Sequence, residues 1–160
     1  MLPSPSWVRR SNMLIVARDV SDLRVFALAD VYDLDSIDEG QDFYGFLCED
    51  FFPNGICCVW EESGRYVAAL RLQRWRDGWL LEGLQTHRAY RRKGYAKALV
   101  TAALDSLKMD KVYVHIAREN RASIALHRGC GFQKILDHAT YLDGSVHAHS
   151  DTYVYENPRC

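Results

Sequence analysis

Apolar positions fall into two periods along the chain. Met13-Leu-Ile-Val-Ala17 is a short unbroken run of strand length. Behind it, Asp19 or Ser21 can cap a helix in which Leu23, Phe26 and Ala27 share a face at 3.6-residue spacing. Residues Asp30 to Asp42 are acidic and irregular, and Phe43–Phe52 reads as a short helix ended by Pro53-Asn54-Gly55. Ile56–Trp60 and Tyr66–Trp75 read as strands joined by the turn Glu61-Glu62-Ser63-Gly64. Arg76-Asp77-Gly78 is a second hairpin turn, signalled by Asp-Gly, and leads into a strand over Trp79–Thr86.

The period then lengthens. Ala96, Leu99, Val100, Ala103, Leu104 and Leu107 mark one face of a helix from Tyr95 to Lys108. Val112, Val114 and Ile116 alternate, which makes Lys111–Ala117 a strand. Asn120 opens a short helix containing Ile124, Leu126 and His127, with Gly129 as its C′ residue. Phe132–Leu136 and Asp151–Glu156 close the chain as two strands around a loop. The order predicts an α/β (α+β) fold: a mixed, mostly antiparallel central sheet flanked by helices, in a single domain over 1–160.

Composition narrows the function classes. At 48% hydrophobic and 26% charged, the 160 residues can build a packed core. No apolar run approaches the ~18–20 residues of a membrane span, and the opening segment lacks the apolar stretch of a secretory signal. Five cysteines, without C-x-x-C spacing, fit unpaired thiols in a reducing, cytoplasmic setting. The net charge of −1 hides a division: residues 1–64 carry four basic and twelve acidic side chains (−8), and 65–160 carry sixteen and nine (+7). Such polarity suits two ligands of opposite sign. No continuous basic helix favours nucleic acid.

The segment from Gln85 to Ala96 carries most of the chemistry. It joins a strand to an amphipathic helix, whose first N–H groups are unpaired and whose N-terminal end is positive. Gly94 clears the approach to those donors, while Arg91, Arg92 and Lys93 add full charges, with Arg88 and Lys97 near. A pyrophosphate-like group suits this loop; so does a plain basic turn capping a surface helix. Neither a Walker string nor a G-x-G-x-x-G fingerprint is present.

Arg91-x-x-Gly94-x-Ala96 resembles the acetyl-CoA loop of the GNAT superfamily of N-acetyltransferases. Asn120-Arg-Ala-Ser123-Ile-Ala-Leu-His127-Arg-Gly-Cys-Gly-Phe132 resembles a second motif of that superfamily, at the expected distance. The resemblance spans residues 13–135 by element order and is specific over 79–132. It implies an acetyl-CoA-dependent N-acetyltransferase that acts on a primary amine by direct attack, with CoA as co-substrate and no metal. The pyrophosphate would lie on Arg92, Lys93, Gly94, Tyr95 and Ala96, with Arg91 at the entrance. The pantetheine arm would pair with Leu84, Gln85 and Thr86 like an added strand. Asn120 and Ser123 would reach the cofactor, although Asn120 also suits a helix cap. His127 stands where most members carry a tyrosine that protonates the departing thiolate; it can equally be a packed helix histidine.

Glu82, alone among uncharged neighbours from Trp79 to Leu84, is the candidate base, with an outward-facing strand carboxylate as the alternative. His147-Ala-His149, with His138 and Asp151, reads as a polar loop rather than a metal site, and Trp60, Trp75, Trp79 and Tyr66 as strand packing. Acidic residues 30–50 lie where the superfamily builds its acceptor site, which points to a small-molecule or peptide amine, cationic in character. A non-catalytic CoA or phospholigand sensor on the same fold is the alternative function. Pairing through the C-terminal strands, as in many members, would give a homodimer; neither nucleic acid nor membrane is an expected partner.

Overall fold

The computed structural model describes residues 12–34 and 36–158, so Asp35 and Cys160 lie outside it. Strand β1 (Asn12–Ala17) is followed by a 3-10 turn at Val20–Asp22 and helices α1 (Val25–Val31) and α2 (Ile37–Gly45). Then come β2 (Gly55–Glu62), β3 (Arg65–Trp75), β4 (Gly78–Thr86), α3 (Tyr95–Leu107), β5 (Lys111–Ala117) and α4 (Arg121–Gly129). The chain closes with β6 (Gln133–Leu136), the short pair β7 (Ala139–Thr140) and β8 (Val146–His147), and β9 (Ser150–Glu156). The main sheet runs β1-β2-β3-β4-β5-β9-β6, and every neighbouring pair is antiparallel except β4–β5. The expected fold class is therefore the observed one.

Strand alternation divides the core into two layers. Cys58, Leu70, Leu72, Leu81, Val112, Val114 and Ile116 pack under Leu99, Val100, Ala103 and Leu104 of α3. On the opposite face, Cys57, Val59, Tyr66 and Ala69 meet Leu28 and Val31 of α1 and Leu47 and Phe51 beyond α2. A smaller cluster, Trp75, Leu80, Tyr113 and Val154, continues that second face toward β9.

Five local readings are corrected. Helix α1 begins at Val25 because the Asp22 carboxylate accepts from the N–H groups of Arg18 and Asp19 and closes a separate turn. The shift in phase turns Leu28 and Val31 inward and leaves Phe26 90% exposed. The acidic stretch is not irregular: α2 starts within it, capped by Ser36, whose Oγ accepts from Glu39 N at 3.0 Å. Ser36-x-x-Glu39 is the capping-box spacing. The expected helix over 43–52 is the end of α2 continued by a π-helical turn, Phe46–Phe51. Finally, Gly129 is helical and Gly131 takes the left-handed conformation (φ +99°), and the C-terminal loop contains the β7–β8 hairpin.

Candidate active site

Among the described residues, the only parallel pair of the main sheet is also its shortest relative to the strands involved. β4 and β5 are paired at Trp79–Val112, Leu80–Tyr113 and Leu81–Val114, and nowhere beyond. β4 nevertheless follows β3 as far as Thr86–Ala68, and β5 follows β9 as far as Ala117–Ser150. The two strands therefore part after Leu81, leaving a fork in the middle of the sheet. Along it, backbone groups of Leu84, Gln85 and Thr86 that point away from β3 have no strand partner. A bulge supports the divergence: the β3–β4 register slips between Ala69 and Arg71, and Gly83 sits at φ +60°. The Tyr32 hydroxyl donates to Gly83 O at 2.7 Å and ties the bulge to the end of α1.

From the open end of the fork the chain passes into the basic loop. Arg92 (φ +64°) and Gly94 (φ +84°) are both left-handed, and Gly94 is the N-cap of α3. Nothing lies within 4 Å of where a Gly94 Cβ would stand, so an anion can approach the first N–H groups of the helix. Arg91 is already engaged: its Nε donates to Thr86 O at 3.1 Å, and its Nη2 lies 3.5 Å from Asp33. Arg88 lies 3.9 Å from the same carboxylate. Lys93 leans over Tyr90, 5.7 Å from the ring centre. Arg92, Lys93 and Gly94 are exposed, whereas Tyr95 and Ala96 are half-buried at the helix start. The loop and the unpaired β4 edge together fit an extended phosphorylated ligand.

Glu82 is the first β4 residue past the last rung, half-buried on the α1 face of the sheet. It is not isolated, as its sequence neighbours suggested. Gln73 Nε2 donates to its Oε1 at 2.6 Å, and Arg71 stands opposite in the β3–β4 register. Burial raises the Glu82 pKa, and Arg71 and Gln73 work against that rise without cancelling it. The Arg71 guanidinium stacks among Tyr32, Phe46 and Phe51, at 5.5, 5.4 and 5.9 Å from the ring centres. Arg71 and Tyr32 were not among the sequence candidates; only pairing across strands and packing from α1 bring them to Glu82.

Beside the other arm of the fork, Asn120 caps α4, its Oδ1 accepting from Ser123 N at 3.2 Å. The cap therefore occupies that oxygen. His127 is 1% exposed, with Nδ1 2.8 Å from Ser123 O and 3.3 Å from Ser123 Oγ. Since a carbonyl only accepts, Nδ1 carries the proton, and neutral His127 presents a lone pair at Nε2. That Nε2 is buried with no hydrogen-bond partner. Burial lowers the His127 pKa, with the bond to Ser123 acting the other way.

The remaining candidates separate. Asp151 is buried between Arg118 (2.9 Å) and Lys134 (3.4 Å), His147 packs on Tyr141, and His138 lies beside Asp137. Among the described residues, no group of three His, Cys, Asp or Glu is placed to hold a metal. Trp60 and Trp79 pack on the α3 side while Trp75 and Tyr66 lie in the opposite layer, so no aromatic cage forms. Of the acidic residues 30–50, Asp33 faces the basic loop, and Asp38, Glu39, Asp42, Glu49 and Asp50 are exposed. Asp30 opens on a groove of about 690 Å³ between α1 and α2. Cys57 and Cys58 are buried, their thiols pushed up to about 12 by burial. No helix is long and apolar enough to cross a membrane, among the described residues.

The fold and site are thus a mixed sheet that forks beside an open helix start, with a carboxylate at the apex of the fork. The model of the acetyltransferase (GNAT) family matches residues 22–132, and the chain belongs to that family; it is an N-acetyltransferase by family. No curated protein matches the sequence. Among solved structures, the chain is similar to the ribosomal-protein-S18-alanine N-acetyltransferase from Escherichia coli (TM-score 0.66, 17% identity, covering 91% of this chain and 94% of that one). It is also similar to the spermidine N-acetyltransferase from Vibrio cholerae in complex with CoA and spermine (TM-score 0.65, 19% identity, 92% and 96% covered). A third is the IAA acetyltransferase from Bacillus cereus (TM-score 0.63, 16% identity, 91% and 99% covered). At these identities the likeness speaks for the fold.

Proposed function

We propose that the protein transfers an acetyl group from acetyl-CoA directly to a primary amine, with Glu82 as the proton acceptor. The observation that carries this reading is the position of Glu82: a half-buried carboxylate of raised pKa at the apex of a fork whose open end meets the Gly94 loop. Acetyl-CoA supplies an activated thioester. Arg92 to Ala96 would hold its pyrophosphate, and Leu84, Gln85 and Thr86 its pantetheine arm. An amine reaches the fork as ammonium, and only its neutral form attacks; Glu82 takes the proton. Arg71, packed in its aromatic setting, keeps Glu82 from becoming so weak an acid that it stays protonated.

Thiolate protonation falls to His127 or to solvent. His127 would donate from Nε2 only after gaining a proton, because its neutral form already spends its one N–H on Ser123. The acceptor is a cationic amine, either a small molecule or a lysine or terminal amine of a peptide. This is supported by the exposed carboxylates of α2 and by the polyamine bound by the Vibrio neighbour. Turnover of acetyl-CoA against a panel of polyamines, amino sugars and peptides tests the reading. Glu82→Gln should lower kcat on the order of 10²-fold below the acceptor's pKa and much less above it. CoA binding with no acetylation of any amine points instead to a sensor on this fold, a reading favoured by the proton-less Nε2 of His127.

A further inference from the structure

The bulge at Gly83 makes room for a charge. A Cβ on Gly83 would stand 2.5 Å from Nη1, 2.7 Å from Cζ and 2.8 Å from Nη2 of Arg71, so the guanidinium lies against the β4 backbone at the apex of the fork. Arg71 and Glu82 are direct partners in the β3–β4 register, which sets their Cβ atoms about 5 Å apart on one face. Leu70 and Leu72, on either side of Arg71, point into the layer beneath α3, so that face is the α1 side. Of the rings around the guanidinium, Phe51 is buried and Phe46 is 37% exposed, so the stack reaches the surface. A guanidinium carries five N–H donors. Among the described residues, the Tyr32 hydroxyl is the one acceptor it meets, and no carboxylate stands within ion-pair distance. Glu82 feels its charge, but the hydrogen bond to Glu82 Oε1 comes from Gln73.

We propose that Arg71 selects the acceptor by pairing with a carboxylate on the amine substrate, which makes that substrate a free α-amino acid with its ammonium on Glu82. The inference rests on the acetyl-transfer reading above and narrows its acceptor. A half-buried cation with no carboxylate of its own is stabilised by an anion that takes its N–H fork two at a time. Directly opposed side chains present the guanidinium and the Glu82 carboxylate side by side, which matches a ligand whose ammonium and carboxylate are joined through one carbon. A polyamine would offer Arg71 only like charge. A peptide N-terminus carries an amide where the free amino acid has its carboxylate, and leaves the guanidinium unanswered. Glu82 takes one proton from the ammonium, the nitrogen bonds the acetyl carbon and the C–S bond breaks. CoA then leaves as the thiol, with the second proton lost by that nitrogen. A carboxylate on Arg71 also neutralises the charge that holds the Glu82 pKa down, so the base strengthens when such an acceptor is seated.

Steady-state kinetics with matched acceptors test the assignment. The common α-amino acids are screened with acetyl-CoA, and the best of them is compared with its carboxamide and its decarboxylated amine. The expected result for the wild type is a kcat/KM for the acid roughly 10²-fold above that for the carboxamide, carried mainly by KM. The carboxamide has the less basic amine, so amine protonation alone would favour it instead. In Arg71→Gln the ratio should collapse to within about threefold. Because Glu82 serves both acceptors, any change in its basicity cancels in that ratio, which a merely structural role for Arg71 would leave in place. Should Arg71→Gln not fold, Arg71→Met makes the same comparison. A wild-type protein that acetylates the carboxamide, the decarboxylated amine or a polyamine as well as it does the acid overturns the proposal, and so does an Arg71 variant that keeps the wild-type ratio. A wild-type protein that binds CoA and acetylates no amine overturns the acetyl-transfer reading itself.

Discussion

Gly94 and Arg71 illustrate how differently single residues are encoded. Gly94 is readable from its neighbours because its work is local: a left-handed backbone angle, an open approach and a helix start one residue later. Gly94→Glu should abolish CoA affinity, since it places a carboxylate where phosphates bind and forces a side chain into φ +84°. The surroundings are open enough for the fold to survive, so circular dichroism should stay native while calorimetry shows no CoA binding. Retained affinity would remove this loop from the site. The face of Arg71 was within reach of the same reading, because Leu70 and Leu72 flank it in the strand. Its relation to Glu82 was not, since that depends on the register of β3 on β4 across a bulge.

Among the elements, β4 carries most of the site through one irregularity. A regular strand would have continued along β5; the bulge at Gly83 turns it away, and Tyr32 secures the turn from α1. A Cβ at Gly83 would stand 2.5 Å from the Arg71 guanidinium as well as adopting a positive φ. Gly83→Ala should therefore destabilise the protein by about 1–2 kcal/mol and raise KM for acetyl-CoA as the edge at Leu84–Thr86 shifts. Thermal melting and acetyl-CoA titration check both halves, and an unchanged KM would separate the bulge from cofactor binding. The strands and α3 were legible because their periodicity is strong. Helix α2 was missed because acidic composition hid a short capping signal at Ser36 and Glu39, and α1 was misphased because Asp22 bonds the preceding turn.

For the whole molecule, the division into acidic and basic halves is partly answered within the chain: Asp33 of the first half faces Arg88 and Arg91 of the second. The same scale governs acid stability. An unfolded histidine takes a proton near 6.5, whereas burial on β5 lets folded His115 take one only at about 4. Between those values the unfolded chain binds more protons, so stability falls as pH falls. Burial shifts His127 in the same direction, and the raised pKa of Glu82 opposes both. Melting temperature should drop from pH 7 to pH 5, and less so in His115→Phe; equal drops would show that His115 contributes nothing to the slope. The fork has one further consequence, for solubility. An unpaired strand edge ordinarily invites another chain to add to the sheet. Here the open edges of β4 and β5 face each other inside a seven-stranded sheet, sheltered by β3 on one side and β9 on the other. A slender arm can thread between them, but a second sheet cannot dock there, so the protein keeps a binding edge that does not act as a template for aggregation.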